Sequence, residues 1–158
     1  MIRSAHMGDI KNIHKLLQYF ADKDLLLGRS LSSLYDQLRD FIVFVEKDDE
    51  NPAQEKLIGV CALHICWENL AEIRSLAVTD EYHGEGVGRQ LVSKALAEAD
   101  SYGITRVFTL TYQPDFFKKL GFQDIDKSKL PHKVWSDCIN CSKFPDCNEE
   151  ALIWEKNI

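Results

Sequence analysis

The sequence predicts an α/β chain of the α+β kind, and three observations carry that expectation. Apolar runs of strand character stand at Phe41–Glu46 (FIVFVE), Leu57–Trp67, Leu70–Val78 and Ile104–Tyr112. Stretches with apolar residues at 3.6 spacing are interleaved with them. In the passage from Leu70 to Ala99, an alternating run with Ile73, Leu76 and Val78 passes through a turn holding Gly84, Gly86 and Gly88. It continues directly as a helix with Val87, Leu91, Val92, Ala95, Leu96 and Ala99 on one face.

In chain order, Met1–Ala5 starts a short strand. Gly8–Asp22 is a helix, with Ile10, Ile13, Leu16, Leu17 and Phe20 on its apolar stripe and Asp9 in its first turn. His14 lies near that stripe and reads as a packing or surface residue. Ser30 or Ser32 caps a second helix whose inward face is Leu31, Leu34, Tyr35, Leu38 and Phe41. Lys47–Lys56, with Asn51-Pro52, is a hairpin loop. The long strand after it alternates little, as expected of a strand covered on both faces, and its Cys61 and Cys66 are small core residues. Glu68-Asn69 turn the chain into the central strand. Ser101-Tyr102-Gly103 closes the long helix. Pro114–Leu120 is a short helix ended by Gly121, Phe122 begins a return strand, and Glu150–Lys156 is the last one.

The totals bound the functions. A length of 158 residues suits a single domain, 1–158, with a sizeable core. A net charge of −6 speaks against a nucleic-acid partner, which would require a basic face. No apolar run approaches membrane-spanning length and no leader segment opens the chain, so neither a membrane nor a secretory route is expected. Five cysteines, an odd number, fit reduced or metal-bound thiols better than a closed disulfide framework, which points to a cytoplasmic setting.

A strand that delivers a glycine-rich turn to a helix mouth builds an anion site. The first helical N–H groups lack partners, the macrodipole adds about half a positive charge, and glycine lets a phosphate approach the backbone. Gly84-x-Gly86-x-Gly88 is not a P-loop, because no Gly-Lys-Ser/Thr follows, and it lacks the spacing of a dinucleotide fingerprint. Taken alone, the turn reads equally well as a tight bend that uses glycine for positive φ.

In an ideal strand, alternation puts Glu72, Arg74, Leu76 and Val78 on one side, with Glu72 and Arg74 about 7 Å apart. Charges there are costly unless paired or used. Two readings follow: a cross-strand ion pair, or a carboxylate base beside a guanidinium that grips a carboxylate. Arg29, just ahead of the second helix, is either a solvated loop residue or a second group for an acidic acceptor. Late in the chain His132, Cys138, Cys141 and Cys147 form an imidazole followed by C-x2-C-x5-C. They read either as packed free thiols or as a tetrahedral zinc set, and no metal is expected, since the spacing matches no common zinc knuckle. Lys127, Lys129, His132 and Lys133 make that region locally basic, either as a solvated loop or as an attraction for an anionic acceptor.

EIRSLAVTDEYHGEGVGRQLV, followed some thirty residues later by FFKKLGF, resembles the GNAT superfamily of acyl-CoA N-acyltransferases. The resemblance implies a mixed, mostly antiparallel sheet of six to seven strands, a V-shaped splay between strands 4 and 5, and about four flanking helices. It implies acetyl-CoA as co-substrate, bound at backbone near Leu76, Ala77 and Val78 and at the turn of His83, Gly84, Glu85, Gly86, Val87, Gly88 and Arg89. His83 stands where the family usually has arginine or glutamine. Glu72 takes the place of the family's general base, on a strand in which a β-bulge is usual. The family's tyrosine acid is replaced by Phe117, so Tyr112, water or unassisted departure serves the thiolate. LLLGRSLSSLYDQLRDF, EIRSLAV and the LPHKVW…C-x-x-C…FPDC stretch resemble, within that family, the short stand-alone N-acetylglutamate synthases. This implies glutamate as the amine acceptor, held by Arg74, Arg29 and Lys133, in the first step of arginine biosynthesis, and a homodimer is compatible with it. Two alternatives remain open at this point. One is a family member acting on another amino acid, a polyamine or a protein N-terminus, and the other is a non-catalytic acyl-CoA-binding or metal-binding regulator.

Overall fold

The computed structural model describes residues 1–51, 53–131 and 149–156. Among them seven strands form one sheet: β1 (Ile2–Ser4), β2 (Phe41–Lys47), β3 (Glu55–Trp67), β4 (Leu70–Val78), β5 (Arg106–Thr111), β6 (Gln123–Asp124) and β7 (Glu150–Glu155). Their order is β1-β2-β3-β4-β5-β7-β6. Every neighbouring pair is antiparallel except β4 and β5. Four α-helices accompany the sheet: α1 (Ile10–Ala21), α2 (Leu31–Asp36), α3 (Val87–Ser101) and α4 (Pro114–Lys119). The mixed sheet and four helices are those that the resemblance implies.

Helix α1 buries Ile10, Ile13, Leu17 and Phe20 against Val43, Val60, Ala62 and Ala77 on one face of the sheet. Helix α3 buries Val87, Leu91, Val92, Ala95 and Ala99 on the other face, against Ile58, Cys61 and Ile73. Gly59 lets α3 come this close, because a Cβ there would stand 3.0 Å from Leu91 and 3.2 Å from Val87. A smaller cluster of Cys66, Leu70, Phe108, Leu130, Ala151 and Ile153 fills the end of the sheet. No helix of the described residues is long and apolar enough to cross a membrane.

Three local expectations need correction. Ser30 is the cap, accepting from the Ser33 amide at 3.1 Å, but α2 ends after six residues. Of its expected inward face Leu34 and Phe41 are fully buried, Phe41 as the first residue of β2 and not of the helix, and Leu31 and Tyr35 are exposed. Gln37 leaves helical geometry and a 3-10 turn over Leu38–Asp40 leads into β2. The hairpin loop is also shorter than expected, since Lys47 already pairs with Glu55.

The third correction concerns β4. Ala77 pairs with Val60 but Arg74 pairs with Ala62, so Ser75 and Leu76 together oppose one residue of β3. Ser75 adopts φ of 56°, in the left-handed region. This bulge reverses the alternation. Glu72 and Arg74 therefore do not share a face with Leu76 and Val78. The latter two pack with the α3 core, and Glu72 and Arg74 lie on the α1 side.

Candidate active site

The parallel pairing of β4 with β5 lasts only three residues and stops at Ile73–Thr109. Thr109 Oγ1 closes it by donating to the Ile73 carbonyl at 2.8 Å. Beyond that point the strands part, and the gap opens into a cavity of about 1140 Å³. The sequence resemblance implies such a splay.

One side of the cavity is mainly backbone. The Thr79 amide donates to Ile58 of β3. By alternation, the N–H and C=O groups of Leu76 and Val78 point away from β3 and into the splay. The chain then turns through Gly84 (φ 82°) and Gly86 (φ 81°) and enters α3 with Gly86 as N-cap and no side-chain cap. A left-handed cap followed directly by a helix leaves the first amides of α3 open, which suits an anion. A Cβ on Gly84 or Gly86 would meet nothing within 4 Å, so the φ angles, not crowding, require glycine there. Gly88 is different, since its missing Cβ would stand 3.3 Å from the Phe116 ring of α4. The His83 imidazole donates from Nε2 to the Val78 carbonyl at 2.7 Å and stacks on Phe20 of α1. Its side chain thus fastens the turn to the strand end.

The other side is built from side chains. Glu72 is buried at 8 % exposure, and its Oε1 lies 3.5 Å from Arg74 Nη1. Arg74 Nη2 donates to Gln37 Oε1 at 2.7 Å. Arg29 donates to the same Gln37 oxygen and, at 2.7 Å, to Ser33 Oγ. Two guanidinium groups, one from β4 and one from ahead of α2, thus converge on a single amide oxygen beside a buried carboxylate. Planar guanidinium donors of this kind match carboxylates.

Next to them stands His64 of β3, opposite Glu72 in the ladder and therefore on the same face. Its Nδ1–H donates to Asp40 Oδ2 at 2.6 Å. Asp40 is delivered by the 3-10 turn after α2.

The cavity gathers Arg29, Glu72, Arg74, Leu76, Ala77, Val78, His83, Gly84, Gly86, Val87, Gly88, Arg89 and Tyr112 from the expected site. Glu85 stands in the glycine turn but does not line the cavity, so only its backbone belongs to the loop. Lys133, His132, Cys138, Cys141 and Cys147 lie outside the described residues. Among the described residues no group of His, Cys, Asp or Glu side chains could hold a metal ion. Cys61 and Cys66 are buried away from the cavity, and burial pushes the Cys61 thiol up to about 12. Phe117 is buried against Phe116 and Phe122. Tyr112 lines the cavity with its hydroxyl shielded from solvent. Tyr82, also lining it, donates to Glu46, and that bond pushes its hydroxyl up to about 12. Gln37, His64 and Asp40 are the polar groups that sequence reasoning missed.

A sheet split at its one parallel pair, with a phosphate-compatible helix mouth on one side and paired charges on the other, defines a group-transfer enzyme of two substrates. Residues 10–122 match the Acetyltransferase (GNAT) family, and the chain belongs to that family. It is 38% identical over 152 residues to an uncharacterized N-acetyltransferase of Chlorobaculum tepidum, covering 96% of this chain and 94% of the relative. It is 32% identical over 137 residues to an amino-acid acetyltransferase of Mycobacterium tuberculosis, covering 87% of this chain and 76% of the relative. Among solved structures, the N-acetylglutamate synthase of Neisseria gonorrhoeae, complexed with coenzyme A and N-acetyl-glutamate, superposes with a TM-score of 0.83 at 27% identity. All of this chain is covered there but only 35% of the synthase, so the chain spans about a third of that protein.

Proposed function

We propose that the protein transfers acetyl from acetyl-CoA to the α-amine of an amino acid, and that the amino acid is L-glutamate. The observation that carries this reading is the convergence of Arg29 and Arg74 on Gln37 beside buried Glu72, at the side of the splay away from the glycine turn. Two guanidinium groups suit an acceptor with two carboxylates, and Lys133 is assigned to the same acceptor. The similarity to an amino-acid acetyltransferase and to an N-acetylglutamate synthase supports the choice.

In this scheme the pantetheine arm lies along Leu76, Ala77 and Val78. The diphosphate faces the amides of Gly84, Gly86, Val87 and Gly88, with His83 and Arg89 flanking it, while the Glu85 amide of the same turn donates to the Tyr82 carbonyl. An ammonium has no lone pair, so Glu72 first removes a proton, directly or through water. The amine then attacks the thioester carbonyl, and an N–H of the open β4 edge stabilises the oxyanion. The tetrahedral intermediate collapses with CoA thiolate leaving; Tyr112 or water protonates the thiolate, and the second proton shed by the acylated nitrogen returns through water to that donor. No covalent enzyme intermediate is needed, which agrees with a neutral, buried Cys61. The setting proposed is a cytoplasmic one, at the entry to arginine biosynthesis.

The test is a steady-state assay with acetyl-CoA over a panel of amino acids and polyamines, with N-acetylated product identified by mass. Turnover of glutamate above the other amines is expected. Turnover of a polyamine with none of glutamate overturns the acceptor assignment.

A further inference from the structure

We propose that His64, held by Asp40, carries away the proton that Glu72 takes from the acceptor amine. The proposal rests on the acetyl-transfer reading above and adds a residue to it.

Three observations place it. His64 lines the same cavity as Glu72 and Arg74. Opposite positions in an antiparallel ladder put Cβ atoms about 5 Å apart on one face, so one water spans the two side chains. Third, His64 Nδ1–H is committed to Asp40 Oδ2 at 2.6 Å, which fixes the tautomer. Its Nε2 makes no hydrogen bond among the described residues and is the lone-pair nitrogen available on the cavity side.

The proton balance is simple. An ammonium proton passes to the Glu72 carboxylate, then through water to His64 Nε2, giving an imidazolium whose Nδ1–H remains on the Asp40 carboxylate. Bulk solvent takes the proton from Nε2 and restores both groups for the next turnover. Such an outlet returns Glu72 to its carboxylate form before the next ammonium arrives. Asp40 thus acts as a positioning residue that also stabilises the imidazolium.

The charged groups around His64 come from four parts of the chain. Asp40 faces it from the 3-10 turn, and Glu72 and Arg74 from β4. Arg29 lines the same side of the cavity. On α3, Glu98 lies near enough to Asp40 for its carboxyl to be raised, first by burial and then by that charge. Asp40 is thus the anion in direct contact with the ring.

A merely structural tie between the 3-10 turn and β3 would show the same distance, so the experiment separates the two. Product formation is followed from pH 5.5 to 9.5 for wild type and for His64→Gln, His64→Ala, Asp40→Asn and Glu72→Gln, with thermal melting as a check on folding. Glutamine can keep the bond to Asp40 but cannot accept a proton. The expectation is that H64Q melts with the wild type yet loses about 10²-fold in kcat near neutrality. In H64A, added imidazole restores product formation in proportion to its free-base concentration, whereas E72Q is not rescued. In D40N kcat is expected to fall less than in H64Q, because the ring loses its orienting carboxylate but keeps the Nε2 lone pair.

A wild-type profile in H64Q, or no imidazole rescue of folded H64A, overturns the proposal while leaving Glu72 and the acetyl-transfer reading intact. Absence of amino-acid acetylation by the wild type overturns the function itself.

Discussion

The two sides of the splay are made of different material. The glycine-turn side, from Leu76 to Arg89, presents peptide groups, and its side chains mainly brace it: His83 holds Val78 and Phe20, and Gly88 receives Phe116. The opposite side is built almost wholly of side chains from four separate elements. Arg29 precedes α2, Gln37 follows it, Asp40 belongs to the 3-10 turn, and His64, Glu72 and Arg74 come from the β3–β4 hairpin. A backbone cradle tolerates substitution, and a side-chain pocket can be rewritten residue by residue.

Glu72→Gln tests the side-chain half where the expected effect is largest. The amide keeps the shape but cannot take a proton, so kcat is expected to fall by about 10² to 10⁴. The KM for acetyl-CoA should stay near wild type, because the change touches only the far side of the splay. A parallel loss of CoA affinity, read by calorimetry, would show that the two halves are not separate.

Arg74→Ala comes next. If Arg74 grips the acceptor as proposed, the substitution removes a charge-assisted contact worth about 1.5–3 kcal/mol, or roughly 10- to 150-fold in kcat/KM for the amino acid. Gln37→Leu is expected to act in the same direction with a smaller, several-fold rise in acceptor KM, since both guanidinium groups lose their common acceptor while keeping their charge. If Q37L equals R74A, the glutamine itself, not the guanidinium, reads the substrate.

The same contrast explains what the residues told in advance. The cradle was legible because it is local. Strand, glycines and helix are contiguous, and each carries its own signal in spacing or φ preference. The sheet and the face of α3 were legible for the same reason, and Leu96 alone of that face is only half-buried. On the opposite side Arg29, Glu72 and Arg74 were legible as residues, but their arrangement with His64 was not, because two register shifts in one hairpin decide it. Counting back from the Glu68-Asn69 turn, with Trp67 opposite Leu70, would place His64 across from Ile73 on the wrong face. The irregularity between Ile65 and Trp67 brings it opposite Glu72 instead. The second bulge, at Ser75, then separates Glu72 and Arg74 from Leu76 and Val78. Bulges leave little trace in composition, since Ser75 is not a residue that announces positive φ. Gln37 and Asp40 were hidden for a related reason: α2 stops earlier than its apolar pattern suggests.

On the glycine-turn side, Gly86→Ala asks whether conformation matters more than contact. A Cβ there meets no atom within 4 Å but must sit at φ of 81°. The cost is that of a left-handed residue, about 1–2 kcal/mol, seen as a melting temperature lowered by several degrees. CoA affinity falls only if the turn relaxes and α3 loses its open amides. Unchanged stability would mean that the turn has an alternative geometry.

His83→Ala is the smallest expected change, and it bears most directly on the division between the two halves. The imidazole bonds the Val78 carbonyl, stacks on Phe20 and is about half exposed, at 53% for the side chain. Water can replace its hydrogen bond, so little stability is at stake. If peptide groups hold the diphosphate, removing this ring leaves the first amides of α3 and the open edge of β4 in place. The KM for acetyl-CoA is then expected to stay within about threefold of wild type, well short of the loss expected for R74A on the acceptor. A rise beyond tenfold, measured at fixed ionic strength, would show that the donor too is held by side chains. His83→Arg supplies the sign of the effect. A longer cation beside a bound diphosphate should lower KM at low salt and lose that advantage as salt screens it, whereas no salt dependence would place the diphosphate away from this turn.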